Sequence, residues 1–422
     1  MTQSRTDGLK AGTKANHDVA AFGEAESAYA WTRLVTALLL STIGGVGMWS
    51  VVVALPQLQT EFGVARADAS LPYTLTMIGY GLSGIVMGRL SDRFGIVVPV
   101  IAGTIAMALG YVLAGSATSL WQFTVAQGLL IGMGSSATFA PLLADTSMWF
   151  TRRRGIAVAI FASGNYLAGT VWPPIVQHFI ETAGWRETYS GIGLFCVVTM
   201  LPLAMLVRRR APATRQTTSD VRVASFTRRP LGLSPVTLQT LLVIAPLSCC
   251  VAMSMPQVRL VAYCSDLGYG AARGTQMLSL MLASGILSRL TFGWICDRIG
   301  GLRTLLLGSG LQGIALLLFL PFDGLVSLYL ISALFGLFQG GIVPSYAIIV
   351  REHFPPGEAG ARVGTVMMAS LFGMALGGWL SGAIFDWTGS YNAAFVNGIL
   401  WNLLNMSIAF WLLRRQQKTE IV

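Results

Sequence analysis

Charge is what this chain has least of. Only 11% of its 422 residues are Asp, Glu, Lys or Arg, whereas 54% are hydrophobic. A soluble domain carries about 25% charged residues, so a water-soluble globule of this size would be short of polar surface. Cysteine is also scarce. The five copies (Cys196, Cys249, Cys250, Cys264 and Cys296) are odd in number and lie mostly in or beside apolar runs. They show no metal-ligand spacing, so free thiols are expected, with no disulfide framework, metal or cofactor. The three histidines are scattered: His17 in a polar N-terminal stretch, His178 near a helix end and His353 in a loop. None is placed as a proton relay. A Gly-rich phosphate loop is missing, which argues against ATP drive. No nucleophile–base constellation appears, so the chain is not expected to be an enzyme. Finally, no acidic residue sits well inside any of the long apolar runs.

Those runs dominate the rest of the sequence. They recur at about twenty residues, the length that crosses ~30 Å of hydrocarbon as a helix. Twelve spans are expected, at 33–55, 70–89, 97–117, 121–144, 155–178, 188–207, 238–263, 274–295, 302–321, 325–348, 362–385 and 391–413. The 48 glycines suit such a bundle, because small residues let membrane helices approach closely. Residues 1–32 are polar and mixed in charge and lack an apolar core with a cleavage site, so they read as a disordered cytoplasmic tail. Residues 208–237 are rich in Arg, Thr and Ser, with Pro212, Pro230 and Pro235, and read as a linker. The expected domains are the tail, a six-helix bundle over 33–207, this linker, a second bundle over 238–413, and a short tail over 414–422.

Orientation follows from Lys and Arg. With both termini inside, 23 of the 28 fall on inner segments. Four (Arg66, Arg186, Arg259 and Arg273) fall on outer loops, and Arg289 is left within a span. That bias puts both termini in the cytoplasm. It also accounts for the net charge of +10 by topology, so no nucleic-acid partner is required.

The chain repeats itself. GRLSDRFG at Gly88–Gly95 follows span two, and GWICDRIG at Gly293–Gly300 follows span eight. Each copy has a second acid near the end of the span two further on, Asp145 and Glu352. This doubled signature resembles that of the major facilitator superfamily. The resemblance implies an all-α membrane fold of twelve helices in two pseudo-symmetric six-helix bundles that rock about a central site. A narrower resemblance is carried by WFTRRRGIAVA at 149–159 with Gly164 and Pro174, and by Pro256, LVAYCSDLGYG and the arginine before DRIG. These are similar to the monocarboxylate transporters and the oxalate/formate-type porters. In that branch the helix-8 arginine contacts the substrate carboxylate, and it falls on Arg289. Two departures are visible. Animal members carry an aspartate one turn earlier, where this chain has Gly285, and a lysine in helix 1, where span one has none. Span eleven has no cation, unlike the oxalate-type porters.

Arg289 also stands out without any relative. It lies eight residues before Asp297, about 12 Å along a helix at ~1.5 Å per residue. A cation at such depth costs at least ~2.5 kcal/mol on insertion scales and usually faces a bundle interior or a watered cavity. With no acid nearby in sequence, an anionic ligand held by a bidentate fork would complete it. The repeat pairs Arg289 with Gly84, a cation facing empty space. On helices that line the cavity in the superfamily, Asn165, Tyr166, Gln339 and Tyr346 are candidates to hydrogen bond the cargo, and Trp49 and Tyr80 to wall it. Asp92, Arg93, Asp145, Asp297, Arg298 and Glu352 read as gating charge pairs between helix ends. Asn397, Asn402 and Asn405 read as structural.

The expected function is secondary active or facilitative transport of small organic monoanions, such as lactate or pyruvate, across a bacterial inner (plasma) membrane. The expected partners are a small carboxylate and the lipid bilayer. A co-transported proton, exchange and uniport all stay open, and a monomer is expected. Two alternatives remain. A drug or amphiphile efflux carrier would have an aromatic and Met-lined cavity, for which Met277 and Met281 are available. A membrane sensor of the same fold would bind without flux.

Overall fold

A computed structural model describes residues 27–150, 153–209 and 230–421. Most of the expected N-terminal tail, and residues 210–229 of the expected linker, lie outside the described residues. The described chain is a series of helices. We label the membrane helices α1 (Ala28–Phe62), α2 (Leu71–Phe94), α3 (Val97–Gly115), α4 (Leu120–Trp149), α5 (Ile156–Ala183), α6 (Trp185–Leu206), α7 (Pro235–Asp266), α8 (Ala271–Ile299), α9 (Gly301–Leu318), α10 (Leu325–His353), α11 (Gly360–Thr388) and α12 (Tyr391–Gln417). Each expected span falls on one helix, with ends that differ by a few residues.

Eleven of these helices are long and apolar enough to cross a membrane. α2 is the twelfth. Its 24 residues reach ~36 Å at ~1.5 Å per residue, but they include four glycines, two tyrosines and several hydroxyl residues. Its small and polar positions, Tyr73, Thr76, Gly79, Gly81 and Ser83, are buried, while Leu82, Ile85 and Val86 are exposed. The low hydropathy of α2 thus belongs to a helix that keeps one aliphatic strip for lipid and turns the rest inward.

The helices form two six-helix halves, α1–α6 and α7–α12. In each half two helices stand at the edge, α3 and α6 packing together in the first, α9 and α12 in the second. Their outward faces carry Ile105, Leu109, Leu194, Val198, Leu307, Ile314, Leu400 and Leu404, all exposed. In a bilayer such a surface costs nothing, because the lipid is as apolar as the side chains. The halves meet along two seams, α2 against α11 and α5 against α8.

Close approach within each half depends on glycine. At Gly336 and Gly340 of α10, an added Cβ would collide with the carbonyls of Met281 and Gly285 on α8. The repeat does the same on the other side, where Gly79 of α2 meets the carbonyl of Gly128 on α4. One bundle face carries the ends of α1, α6, α7 and α12 and is called the terminal face below; the other is the distal face.

Candidate functional site

Arg289 emerges on the α5–α8 seam. The helical rise puts it about three turns from the terminal end of α8. It is half-buried. Its Nη1 donates to the carbonyl of Ala162 on α5 at 2.8 Å, and its guanidinium stands 4.5 Å from the centroid of the Tyr166 ring. Its Nε is buried and has no hydrogen-bond partner. It takes part in none of the ion pairs among the described residues. A guanidinium has five N–H donors, and here the protein engages one of them. The ring contact is worth ~0.5–2 kcal/mol and leaves the edge donors free.

Tyr166 is placed by Gly285. The ring packs where a side chain at 285 would be, since a Cβ there would overlap ring carbons of Tyr166. The position where the resemblance puts an aspartate is therefore occupied by an aromatic face beneath the arginine. One and two turns toward the distal face the seam is tighter. Trp49 of α1 and Leu282 of α8 both press on Gly169 of α5. The Trp49 indole is buried and its Nε1 has no partner.

From the second half, Gln339 precedes the Gly340 that sits on Gly285. It is fully buried, its Oε1 accepts from Gln257 of α7 at 3.0 Å, and its Nε2 is unpartnered. Asn165 is half-buried with no hydrogen bond among the described residues, on the turn between the positions of α5 that touch α8 (Ala162, Tyr166, Gly169) and those that touch α1 (Gly164, Ala168). The structure thus brings Arg289, Tyr166 and Trp49 to one stretch of the seam, with Asn165 on the turn beside it and Gln339 held within the second half by Gln257. The unsatisfied polar groups of that stretch are mostly N–H donors, which suits an anion.

Two candidates are placed elsewhere. Tyr346 is fully buried and donates to Asn405 of α12 at 2.7 Å, and Asn405 in turn donates to Ser309 of α9. That network lies at the back of the second half and matches the structural reading of Asn402 and Asn405, whereas the buried Nδ2 of Asn397 has no partner among the described residues. Asn402 likewise donates to the Ser309 carbonyl at 2.8 Å. Tyr80 is half-buried on α2, whose main neighbours are α4 and α11, and its hydroxyl makes no hydrogen bond among the described residues. Gly84 shares its face of α2, and a Cβ there would come 3.2 Å from Ser136 Oγ of α4, so this glycine serves packing within the first half. Met277 and Met281 are fully buried in packing within the second half and line no cavity between the halves.

The six gating candidates do not pair with one another. Asp145 is held by Arg33, with Nε to Oδ2 at 2.8 Å and Nη2 to Oδ1 at 2.9 Å, and Arg33 Nη1 also donates to the Val207 carbonyl at 2.7 Å. Both side chains are buried, so α1, α4 and α6 are clamped together inside the first half. Glu352 accepts from the backbone N–H of Gly301 at the start of α9, inside the second half. Asp92, Arg93, Asp297 and Arg298 are exposed and form no ion pair; the two arginines lie over Phe94 and Trp294.

The distal face is different. There the first half reaches across to the second with residues 66–74. Arg66 pairs with Asp266 at 2.5 Å, bonds the Tyr391 hydroxyl, and lies 3.8 Å from the Phe385 ring centroid. Asp386 accepts from the backbone N–H groups of Arg66 and Ala67 at 3.0 and 2.7 Å. Arg259 donates to Ser381 at 2.9 Å, to the Arg66 carbonyl at 3.2 Å and to Ser70. Thr74 donates to the Ala375 carbonyl at 3.1 Å. The distal end of the seam is closed.

This placement corrects one expectation. Arg259 is not an outer-loop charge but a residue of α7, 3% exposed. The reasoning applied to Arg289, a cation within an apolar span, would have found it. Arg33 could not be found that way, because it lies at a span edge where basic residues are ordinary. Nor could Arg66 and Asp386, whose pairing is 320 residues apart.

The profile described as Major Facilitator Superfamily matches residues 37–331 and 266–421. The chain is 30% identical over 379 residues to monocarboxylate transporter 13 of Bos taurus, covering 84% of this chain and 86% of that one. It is 26% identical over 389 residues to monocarboxylate transporter 11 of Homo sapiens, covering 89% and 81%. Among solved structures it is similar to the nucleoside transporter NupG, with a TM-score of 0.69 and 14% identity, covering 91% of this chain and 99% of that one. It is also similar to a bacterial homolog of the human lysosomal transporter Spinster, inward-facing and unoccupied, with a TM-score of 0.73 and 12% identity, covering 93% and 98%. At those identities the solved structures speak for the fold.

Proposed function

We propose that this chain, which belongs to the Major Facilitator Superfamily and to its monocarboxylate-transporter-like branch, carries small organic monoanions such as lactate or pyruvate by alternating access. It acts as a secondary active or facilitative carrier. The observation that supports this reading most is the guanidinium of Arg289, which sits between the halves with no acidic partner and an unpaired Nε. A carboxylate binds it through a fork and removes the cost of the uncompensated charge. Tyr166 fixes the plane of the guanidinium, and Asn165, Trp49 and Gln339 offer further donors along the seam. Tyr80 walls the opposite side. Tyr346 acts at a distance, by fixing α10 against α12.

The distribution of Lys and Arg supports termini on the cytoplasmic side of a plasma membrane of bacterial type. The connection between α6 and α7 is then cytoplasmic, and the terminal face is the inner one. The exposed charges of that face, Asp92, Arg93, Asp297 and Arg298, pair across the seam when it closes, while Asp145 and Glu352 hold the helix ends that carry them.

Counterflow of labelled lactate and pyruvate in proteoliposomes tests the reading. Arg289→Ala should lower the rate by about a hundred-fold and Arg289→Lys by about ten-fold, because lysine keeps the charge and loses the fork. Wild-type counterflow retained by Arg289→Ala would overturn the carboxylate role. Saturable binding without counterflow in wild type would point to a sensor.

A further inference from the structure

Arg289 is not the only membrane cation here without a carboxylate of its own. Arg259 is buried more deeply, and every acceptor it has is neutral: Ser381 Oγ, Ser70 Oγ, and the carbonyls of Arg66 and Gly378. These acceptors divide by half. Ser381 and Gly378 stand on α11 and move with Arg259. Ser70 and the Arg66 carbonyl belong to the first half and leave when the distal face opens. Room for the arrangement comes from Gly382, where a Cβ would strike the Arg259 guanidinium and crowd the backbone of residues 66 and 67.

The two cations also mark two levels of one path. Gly274 of α8 packs on Leu260 and Val261 of α7, so Arg259 lies near the level of Gly274. From there to Arg289 is about 20 Å along α8 at ~1.5 Å per residue. Both arginines are on the second half and both bond the first half, Arg259 near the distal end beside the α2–α11 seam and Arg289 deep along the α5–α8 seam.

We propose that Arg259 is the first cation that an anionic cargo meets from the distal face, binding its carboxylate in place of Ser70 and the Arg66 carbonyl once that face opens. This rests on the reading that the cargo is a small carboxylate. In the closed state the N–H groups of Nη2 are satisfied by the first half, so the cation is stable without cargo. On opening they face the distal vestibule unpaired. Two acids share this region, Asp266 and Asp386. Both are engaged by the first half in the closed state, through the Arg66 side chain and the 66–67 backbone. Arg66, freed at the same moment, adds a second positive charge on the facing half, so the open distal mouth presents a cation from each side. Closure then transfers the cargo inward to Arg289 and returns Ser70 and the Arg66 carbonyl to Arg259.

The test is sidedness. Half-saturating concentrations for labelled lactate are measured from each face, in right-side-out and inside-out vesicles carrying the full chain. Arg259→Gln should raise the distal-face value by about ten-fold or more, and leave the terminal-face value within about two-fold. Arg259→Lys should give a smaller distal rise. Ser70→Ala, which removes a latch bond and keeps the cation, should raise the fraction of distal-open protein and so leave the distal-face value unchanged or lower, never higher. If Arg259→Gln and Arg259→Lys both behave like Ser70→Ala, Arg259 only holds the gate or turns to Asp266 and Asp386 on opening, and the proposal falls. Should the Gln variant fail to reach the membrane, the Lys variant against Ser70→Ala decides in the same way. A wild type that saturates with lactate from neither face would bring down the carboxylate reading itself, and this inference with it. Saturation from both faces with unaltered Arg259 variants would bring down this inference alone.

Discussion

At the terminal face the strong polar bonds lie within each half; at the distal face a set of them runs between the halves, beside the Arg186–Glu61 pair inside the first. Arg33 and Asp145 join α1 to α4, and Glu352 caps α9, all without crossing the seam. Arg66, Arg259 and Asp386 do cross it. The difference separates two kinds of ion pair. A bond inside a rocking half is never broken in the cycle, so it can be buried and contribute to stability alone. A bond across the seam must break on every turnover, so it cannot be too strong. The contrast is plainest between Arg33–Asp145, 2% and 8% exposed, and Arg66–Asp266, 14% and 41%; burial alone does not sort the bonds, since Arg186–Glu61 stays inside the first half at 40% and 41% and Arg259 bonds across the seam at 3%.

The sharpest way to break this contrast is Asp145→Asn. It strands a buried guanidinium and should cost about 3–5 kcal/mol of stability, read as a fall in unfolding temperature in detergent. Counterflow per folded molecule should change far less. A variant that unfolds normally but fails to transport would show that this pair belongs to the cycle after all. Next comes Gly285→Ala, at the middle of the seam. Its methyl must displace the Tyr166 ring from beneath Arg289, and transport should fall by about ten-fold, equivalent to ~1.4 kcal/mol, with little change in stability. Arg66→Ala follows. It should loosen the distal face by about 1 kcal/mol, the scale of a partly exposed pair, so a cysteine placed at Tyr73 is labelled about five-fold faster from that side. Unaltered labelling would mean that Asp386 and Arg259 hold the face closed without it. The smallest effect on stability should come from Asp297→Asn, with no measurable shift in unfolding temperature. It should instead slow counterflow, because its role is in the closed form of the terminal face.

Much of the fold was legible before any coordinates. The spans, the even topology and the duplication are written in local composition and in GRLSDRFG and GWICDRIG. Arg289 was legible too, since a charge in an apolar run is conspicuous. Its surroundings were only partly so. Tyr166, Gln339 and Tyr346 were all named from the helices they occupy; Tyr166 lies against Arg289, whereas Gln339 bonds Gln257 and Tyr346 faces Asn405. A helix has several faces, and a span that is apolar all round does not say which one meets the cavity. The partner of Asp145 was missed because Arg33 looks like any flanking basic residue.

The sequence by itself determined that this chain crosses a membrane many times, in two related halves, with one evident cation left in oil. It could do so because a bilayer is a nearly uniform solvent that tests each twenty-residue stretch separately, by length and polarity. Only the tertiary structure decided which charges are spent inside a half and which bridge the two. Those pairings join residues hundreds apart, through a guanidinium and a carboxylate that must come within ~3 Å, and no property of either segment alone carries that distance.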